Sequence, residues 1–197
     1  MTTLVTGFDP FGVMRSNPSQ AAGSWLAATR DDCVFVPVPT SYAGSTSALD
    51  EAVRTHRPTA VLLLGFAASA VGLRPERCAR NLTTAAAPDN DGQWQAGPIQ
   101  ADGPDLIETA VDYDGLLNTL ASNRVPYTAS DDAGGYVCNW LYWHALMTQP
   151  TLPVLFVHLA EPETQTEWGT TRAGLLLVAD ALSTHSAIST RRAASRP

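Results

Sequence analysis

The sequence predicts an α/β fold, a three-layer α/β/α sandwich with a mostly parallel central sheet and a short β excursion. Five short apolar runs, each bounded by Gly, Pro or polar residues, are typical of buried strands. Helical patterns lie between most of them, and this alternation favours a parallel sheet with helices on both faces. The 197 residues, 45% of them hydrophobic, suffice for one domain with a sizeable core, which we expect over residues 1–188.

Strands and helices alternate along the chain as this architecture requires. The predicted strands are TLVTGF (3–8), CVFVPVP (33–39), TAVLLLGF (59–66), YTAS (127–130) and PVLFVHL (153–159). The predicted helices are PSQAAGSWLAATR (18–30), SALDEAVRTH (47–56), YDGLLNTLASNR (113–124), VCNWLYWHALM (137–147) and TRAGLLLVADAL (171–182). The first of these helices carries Pro18 in its first turn, where proline is well tolerated.

Two segments depart from this alternation. The stretch from Arg74 to Gly103 is rich in turn residues and lacks helical periodicity, which predicts an excursion of short strands and loops. Excursions of this length from a compact α/β domain are often functional. The last segment, STRRAASRP (189–197), is small, basic and polar, and we expect it to be disordered.

Charge and composition exclude several classes of partner. A net charge of −7 and a pI near 4.9 give no attraction to nucleic acid or to anionic membranes. The N-terminus lacks the pattern of a signal peptide, and no run of eighteen apolar residues occurs, so we expect a cytoplasmic protein that does not engage a membrane. Cys33, Cys78 and Cys138 form no CxxC pair, which favours free thiols over disulfides or a zinc site.

Cys138 is the first candidate for chemistry. Ligand sites in open α/β sheets lie beyond the carboxyl ends of the strands, which selects residues 8–17, 65–67, 130–138 and His158. Cys138 lies near the start of a predicted helix, where free N–H groups and the dipole favour an anion and lower the pKa of a thiol. Free cysteine most often packs as a small hydrophobe, however, so the position alone leaves both interpretations open.

A thiol nucleophile needs a base, and the four histidines are unequal candidates. His56 and His185 have the pattern of surface residues. His144 is six residues after Cys138 on one helix, about 240° around the axis, so it points elsewhere. Only His158, at the end of VLFVH, is expected beside Cys138. A third group should orient the imidazole, and spacing does not choose among its candidates. These candidates are Glu76, Asp89, Asp91, Asp131 and Asp132.

Four motifs, in order along about the whole chain, resemble those of the pyroglutamyl peptidase I family, cysteine peptidases also called pyrrolidone carboxyl peptidases. The stretches are LVTGFDPFGVMRSNPSQ, ERCARN followed by PDNDG, AGGYVCN, and FVHL. The resemblance implies that Cys138 is the nucleophile, His158 the general base and Glu76 the acid that orients His158. It further implies removal of an N-terminal pyroglutamyl residue from peptides through a thioester, with no metal or organic cofactor.

The same resemblance implies a pocket for the uncharged lactam ring. The residues that it assigns to substrate binding are Phe8, Phe11, Asn17, Phe66, Tyr136 and Val137. Phe8, Phe11 and Tyr136 would flank the flat ring, Asn17 would donate to its carbonyl, and the Phe66 backbone carbonyl would accept its N–H. Asn17 is also placed to cap the helix that begins at Pro18, so two roles compete for one side chain.

The chain also departs from the family pattern. It has GFAASA (65–70) in place of Gly-Gln-Ala-Gly-Gly-Arg, and Ala86 in place of an arginine. If ERCARN is extended, Glu76, Cys78 and Arg80 share one face of the strand. We therefore expect Arg80 to project towards Glu76 and to supply the positive charge that is missing at Ala86. The alternative is that Arg80 pairs with a surface acid such as Asp89 or Asp91.

Two other functions stay open on these grounds. One is a specialised Cys-His-Glu amidase with a different acyl specificity, and the other is a catalytically weak protein that binds small molecules. The aromatic residues Trp94, Trp140 and Trp143 are candidates either for core packing or for the interface of a homo-oligomer.

Overall fold

The computed structural model describes residues 1–84, 87–162 and 164–194. The helices are α1 (Pro18–Thr29), α2 (Tyr42–His56), α3 (Tyr113–Ser122), α4 (Val137–Thr148) and α5 (Gln165–Ala194). The strands are β1 (Thr3–Phe8), β2 (Cys33–Val38), β3 (Ala60–Phe66), β4 (Leu73–Glu76), β5 (Cys78–Arg80), β6 (Thr83–Thr84), β7 (Ala96–Gly97), β8 (Leu106–Glu108) and β9 (Val154–Leu159).

The central sheet has five strands in the order β2-β1-β3-β9-β4. The first four strands run parallel, and β4 pairs antiparallel with β9 at one edge. Pro75 lies within β4, which an edge strand tolerates because one side of its backbone needs no ladder partner. The predicted, mostly parallel sheet is therefore confirmed, with one antiparallel edge strand that the sequence did not indicate.

Helices cover both faces of this sheet, which confirms the three-layer architecture. Successive residues of β3 alternate between two apolar clusters, because side chains of a strand point to opposite faces. Leu62 packs in one cluster with residues of α1, α3 and α5, and Leu63 packs in the other with residues of α2 and α4. Both leucines are fully buried, so the central strands are covered on both sides.

The predicted excursion forms two small ladders beside the main sheet. Strand β5 pairs with β8, and β6 pairs with β7. The prediction of a strand at YTAS is wrong, because this segment makes only isolated bridges, Tyr127 to Leu73 and Ser130 to Glu76. Both bridges are to β4, so YTAS borders the edge strand of the sheet without forming a continuous ladder with it.

Several boundaries differ from the sequence prediction. Helix α2 begins five residues earlier than expected, because Ser41 caps it by accepting from the Gly44 amide at 3.2 Å. Helix α5 runs from Gln165 to Ala194, and residues 195–197 lie outside the described part of the chain. The domain boundary at residue 188 and the disordered tail remain predictions.

The three tryptophans differ in their surroundings. Trp143 is buried in the core, Trp140 packs edge-on against Tyr42 at 5.2 Å between ring centroids, and Trp94 is exposed. A homo-oligomer remains a prediction. In the described ranges no helix is long and apolar enough to cross a membrane.

Candidate active site

A cavity of about 210 Å³ opens where β1, β3 and β9 end. It is lined by eight of the ten predicted site residues: Phe8, Phe11, Asn17, Phe66, Tyr136, Val137, Cys138 and His158. Phe8, Phe66 and His158 lie at the carboxyl ends of parallel strands, which meet at one edge of the sheet. Tyr136, Val137 and Cys138 reach the same edge at the start of α4. The cavity is smaller than the roughly 300–1,000 Å³ of sites for drug-sized ligands, and its size fits a single small ring.

A larger cavity, about 480 Å³, lies between the β3–β4 connection and the start of α5. Its walls include Val71, Pro126 and Thr170, and none of the candidate catalytic side chains. We place the active site at the smaller cavity because the thiol, the imidazole and a guanidinium all face it.

Cys138 is the second residue of α4, directly after the helix start. Tyr136 occupies the capping position, but no side chain accepts from the first turn. The first intrahelical bond runs from the Trp140 amide to the Tyr136 carbonyl, so the amides of Val137 and Cys138 have no partner within the helix. These N–H groups are therefore available to an anion at the site of the thiol.

The thiol of Cys138 is protonated at neutral pH. Burial raises its pKa to about 12, and the nearby Glu76 carboxylate acts in the same direction. The positive charge of Arg74 and the backbone N–H of Cys138 oppose this shift without overcoming it. Desolvation of the thiol thus acts against the lowered pKa that its position at a helix start predicts.

His158 lies near the end of β9, with only 3% of its surface exposed. Its ring packs against Phe156 at 4.7 Å between centroids. Gly65 lies opposite it in the parallel register, and a Cβ there would come within 3.1 Å of the imidazole and 2.7 Å of the Phe156 ring. A glycine at 65 thus leaves the space that the imidazole occupies.

Glu76 is fully buried and contacts His158 directly. Its Oε1 lies 2.7 Å from Nδ1 of the imidazole. An ionised carboxylate can only accept, so Nδ1 carries the hydrogen and Nε2 keeps its lone pair. Burial lowers the pKa of His158, and Glu76 opposes that shift in part, so the ring is neutral at neutral pH.

Among the five acids left open by spacing, Glu76 alone contacts the imidazole within the described residues. Asp131 and Asp132 pair with surface arginines. Asp89 accepts from the Tyr42 amide at 2.9 Å and from the amides of Asp91 and Gln93, so it anchors a loop. The excursion therefore supplies Glu76 as the acid beside His158, whereas Asp89 ties its own loop to the start of α2.

Arg74 is a charged residue of the candidate site that the sequence analysis missed. Its Nε donates to Glu76 Oε1 at 2.9 Å, and its Nη2 lies 3.5 Å from Nδ1 of His158. Its side chain is 19% exposed and lines the cavity. The spacing of Arg74 and Glu76 places both on one face of β4, but a four-residue strand that contains Pro75 is not evident from the sequence.

Arg80 does not reach the site. Its side chain is 47% exposed, and its Nε lies 3.8 Å from Asp132. The chain turns between β4 and β5, so Glu76 and Arg80 do not share one continuous strand. The expectation that Arg80 projects towards Glu76 is therefore wrong, and its ion-pair partner is neither Asp89 nor Asp91. Ala86 lies outside the described residues.

Aromatic side chains form one wall of the cavity. The rings of Phe11 and Tyr136 are 6.3 Å apart and tilted, and Tyr42 packs edge-on against Tyr136 at 5.8 Å. The Tyr136 hydroxyl donates to the Pro88 carbonyl at 2.8 Å, so the PDNDG motif fixes this ring. Asn90 donates to the Pro10 carbonyl at 3.0 Å and ties the same motif to the Phe11 loop.

Asn17 both caps α1 and lines the cavity. Its Oδ1 accepts from the Ser19 amide at 3.1 Å and from the Ser19 hydroxyl at 2.8 Å. Its Nδ2 donates one hydrogen to the Asp9 carbonyl at 3.1 Å and carries a second. The cap uses Oδ1, so the predicted contact with substrate would use a different atom, Nδ2.

The remaining histidines lie away from the cavity or outside the described side chains. His144 contacts Asp50 at 2.8 Å between α4 and α2, and His56 is exposed at the end of α2. The side chain of His185 is not among those described. In the described part of the chain no three His, Cys, Asp or Glu side chains are grouped to hold a metal ion.

Comparisons with known proteins agree on one family. A family model described as pyroglutamyl peptidase matches residues 1–164. A pyrrolidone-carboxylate peptidase of Levilactobacillus brevis is 35% identical over 166 residues, which cover 81% of each chain. One from Streptococcus pyogenes is 36% identical over 149 residues, covering 74% of this chain and 69% of the relative. The crystal structure of pyroglutamyl peptidase I from Bacillus amyloliquefaciens matches with a TM-score of 0.86 at 30% identity, covering 94% of this chain and 98% of the other.

Proposed function

Because this chain belongs to the pyroglutamyl peptidase family, we propose that it removes an N-terminal pyroglutamyl residue from peptides by way of a thioester on Cys138. The observation that carries this proposal is the small cavity itself. An aromatic wall, a thiol at a helix start and a histidine held by a buried carboxylate all meet there.

The first half of the reaction forms the acyl-enzyme. Because the thiol of Cys138 is protonated at rest, Nε2 of His158 takes its proton as Sγ attacks the carbonyl carbon that links pyroglutamate to the next residue. The amides of Val137 and Cys138 then donate to the oxyanion of the tetrahedral intermediate. The imidazolium gives its proton to the leaving amine as the C–N bond breaks.

The second half releases pyroglutamate. His158, neutral again, takes a proton from a water molecule that attacks the thioester, and the proton returns to sulfur when the C–S bond breaks. Glu76 accepts the Nδ1 hydrogen throughout, so it keeps Nε2 directed at the reacting atoms and stabilises the imidazolium when it forms. All of these steps use side chains and backbone groups of the chain itself.

Specificity for the lactam is proposed to come from few polar contacts in an apolar pocket. The free Nδ2 hydrogen of Asn17 would donate to the ring carbonyl, and the Phe66 carbonyl would accept the ring N–H. Phe8, Phe11 and Tyr136 would contact the ring faces. A ring that lacks the carbonyl leaves the buried amide of Asn17 unpaired, and therefore binds less well.

The substrate is thus a peptide that begins with pyroglutamate, and we place the enzyme in the cytoplasm. All three cysteines are free, which is in keeping with a reducing compartment.

The proposal is tested by the release of a fluorogenic amine from pyroglutamyl, prolyl and alanyl amides. We expect hydrolysis of the pyroglutamyl amide alone, and its loss in Cys138→Ala, because only this thiol faces the cavity. Cys33→Ala is the matched control, since its partly buried thiol lies on β2, away from the cavity, and the variant should keep parental turnover. Parental turnover in Cys138→Ala would refute the nucleophile assignment.

A further inference from the structure

Arg74, Glu76 and His158 are brought together by the pairing of β4 with β9. In this antiparallel ladder Arg74 lies directly opposite His158, so their side chains project from the same face of the sheet. Glu76 is two residues further along β4 and therefore shares that face. The carboxylate oxygen Oε1 contacts both partners, at 2.9 Å from Nε of Arg74 and 2.7 Å from Nδ1 of His158.

The burial of Glu76 creates an electrostatic requirement. Its side chain is fully buried, and its Oε2 has no hydrogen-bond partner among the described residues. An ionised carboxylate in such a place is costly unless a cation balances it. If His158 were the only partner, the stable arrangement would be a carboxylate beside an imidazolium, and an imidazolium cannot accept a proton from the thiol.

We propose that Arg74 is a positioning residue of the active site. It is the counter-ion of Glu76, and it leaves the imidazole of His158 neutral and free to act as the base. The inference rests on the proposed function and adds a division of tasks: Glu76 orients the ring, and Arg74 balances the charge of Glu76. Ser69, 3.4 Å from Nη1, supports the other end of the guanidinium.

The same cation acts on the nucleophile. Glu76 raises the pKa of the Cys138 thiol, and Arg74 lowers it, so the guanidinium offsets the effect of the carboxylate on both reacting groups. The other titratable groups packed around them include the Cys78 thiol on β5, whose pKa burial raises, and three phenols: Tyr113 on α3, Tyr136 at the start of α4 and Tyr142 within α4. Burial raises the pKa of each phenol, which stays neutral across the assay range. Arg74 is therefore the cation whose removal the pH profile should register.

The experiment compares kcat/KM for a pyroglutamyl amide from pH 5 to 9 in the wild type, Arg74→Met and Arg74→Lys. In Arg74→Met the imidazolium loses a repelling neighbour and becomes the counter-ion of Glu76. The acidic limb of the profile should then move to higher pH by about 0.5 unit or more. Arg74→Lys keeps the positive charge but replaces the planar guanidinium with an ammonium group. The acidic limb of its pH profile should therefore stay near that of the wild type while kcat falls.

Arg80→Met is the matched control, because it removes an exposed arginine that pairs with Asp132, and neither residue lines the cavity. Its profile should equal that of the wild type. A folded Arg74→Met protein with an unshifted acidic limb would overturn the proposal, whereas failure of the wild type to cleave the amide would refute the proposed function instead.

A second measurement does not depend on turnover. The pH dependence of Cys138 alkylation by iodoacetamide should move to higher pH in Arg74→Gln, which keeps a donor to Oε1 without the charge. The two neutral variants are checked by circular dichroism and thermal melting. If neither folds, Arg74 has a role in stability, and its assignment as a positioning residue is wrong.

Discussion

Asn17 uses the two ends of its amide for separate tasks. Its Oδ1 accepts from Ser19 and caps α1, while Nδ2 donates to the Asp9 carbonyl and keeps one hydrogen for the cavity. The residue is 2% exposed, so both ends are isolated from bulk water. A substitution can therefore remove the cap, the donor, or both.

Two variants separate these tasks. Asn17→Ala removes cap and donor, so we expect a lower melting temperature, from a loss of about 1 kcal/mol, and weaker discrimination between pyroglutamyl and prolyl amides. Asn17→Ser keeps a capping oxygen, so it should melt near the wild type yet discriminate as poorly as Asn17→Ala. The loss of one hydrogen bond of ~0.5–1.5 kcal/mol lowers the ratio of the two kcat/KM values about 2- to 12-fold.

The Asn17→Ser variant can also contradict the assignment of the Nδ2 hydrogen to substrate binding. If Asn17→Ser retains the wild-type ratio of specificity constants, the Nδ2 hydrogen does not contact the substrate. Asn17 would then be a helix cap that happens to border the cavity.

The sequence predicted some site residues better than others, for a physical reason. His158 lies at the end of an apolar strand and Cys138 at the start of an apolar helix, and both patterns are visible in the sequence. Glu76 stayed one of five acids, and Arg74 was missed, because both depend on the antiparallel register between β4 and β9. Pairing between distant strands leaves little local signal in a four-residue strand interrupted by Pro75.

At the scale of elements, the contact between β1 and α1 is unusually close. A Cβ placed on Gly7 would lie 2.6 Å from the carbonyl carbon of Ser19 in the first turn of α1. The same turn holds Asn17, and the Ser19 hydroxyl accepts from the Phe8 amide at 3.0 Å. The glycine thus lets the helix approach the strand and positions one side of the pocket.

Gly7→Ala should therefore displace α1 from β1. We expect a loss of about 1–3 kcal/mol in the free energy of unfolding, as in other overpacked cores, and a higher KM because Phe8 and Asn17 shift with the helix. Urea denaturation and steady-state kinetics measure the two effects.

Gly169→Ala is the control, since a Cβ on this exposed turn of α5 meets nothing within 4 Å. That variant should be neutral or more stable by up to about 1 kcal/mol. Equal stability of the two variants would contradict the close-contact argument.

Strands could be predicted from the sequence where burial requires a continuous run of apolar residues. The strands β1, β2, β3 and β9 were indicated by apolar runs that the helices cover on one or both faces. The segment YTAS has the composition of a strand, but its backbone makes only two isolated bridges, both to β4, and forms no continuous ladder. Composition reports the preference of a segment to extend, and whether a ladder forms depends on the backbone that lies beside it.

At the scale of the whole molecule, stability should depend on pH through groups that folding buries. Burial raises the pKa of the Cys138 thiol to about 12 and that of the Cys33 thiol to about 11, and the pKa of the Cys78 thiol moves in the same direction. Burial lowers the pKa of the His158 imidazole. Each shift means that the group ionises less readily in the folded chain than in the unfolded chain.

The signs of these shifts predict a plateau of stability with two declining limbs. A thiol with a raised pKa contributes stability that is complete below its unfolded pKa, about 8.5, and is lost as the pH rises towards the folded value. An imidazole with a lowered pKa contributes stability that is complete above about pH 6.5 and is lost as the pH falls through the folded pKa. The free energy of unfolding should therefore be greatest between about pH 6.5 and 8.5.

Urea denaturation at half-unit steps from pH 5 to 10 tests this profile. The same measurement on Cys138→Ala shows how much of the alkaline decline in stability comes from the Cys138 thiol. Each thiol contributes a slope of at most about 1.4 kcal/mol per pH unit above pH 8.5, less where it is partly exposed to solvent. The variant lacks one such group, so its free energy of unfolding should fall less steeply than that of the wild type from pH 8.5 to 10. Its acidic limb should keep the wild-type slope, because His158 is unchanged. Parallel alkaline limbs in the two proteins would mean that folding does not protect the Cys138 thiol from ionisation. The proton transfer to His158 would then no longer be a required first step of the attack.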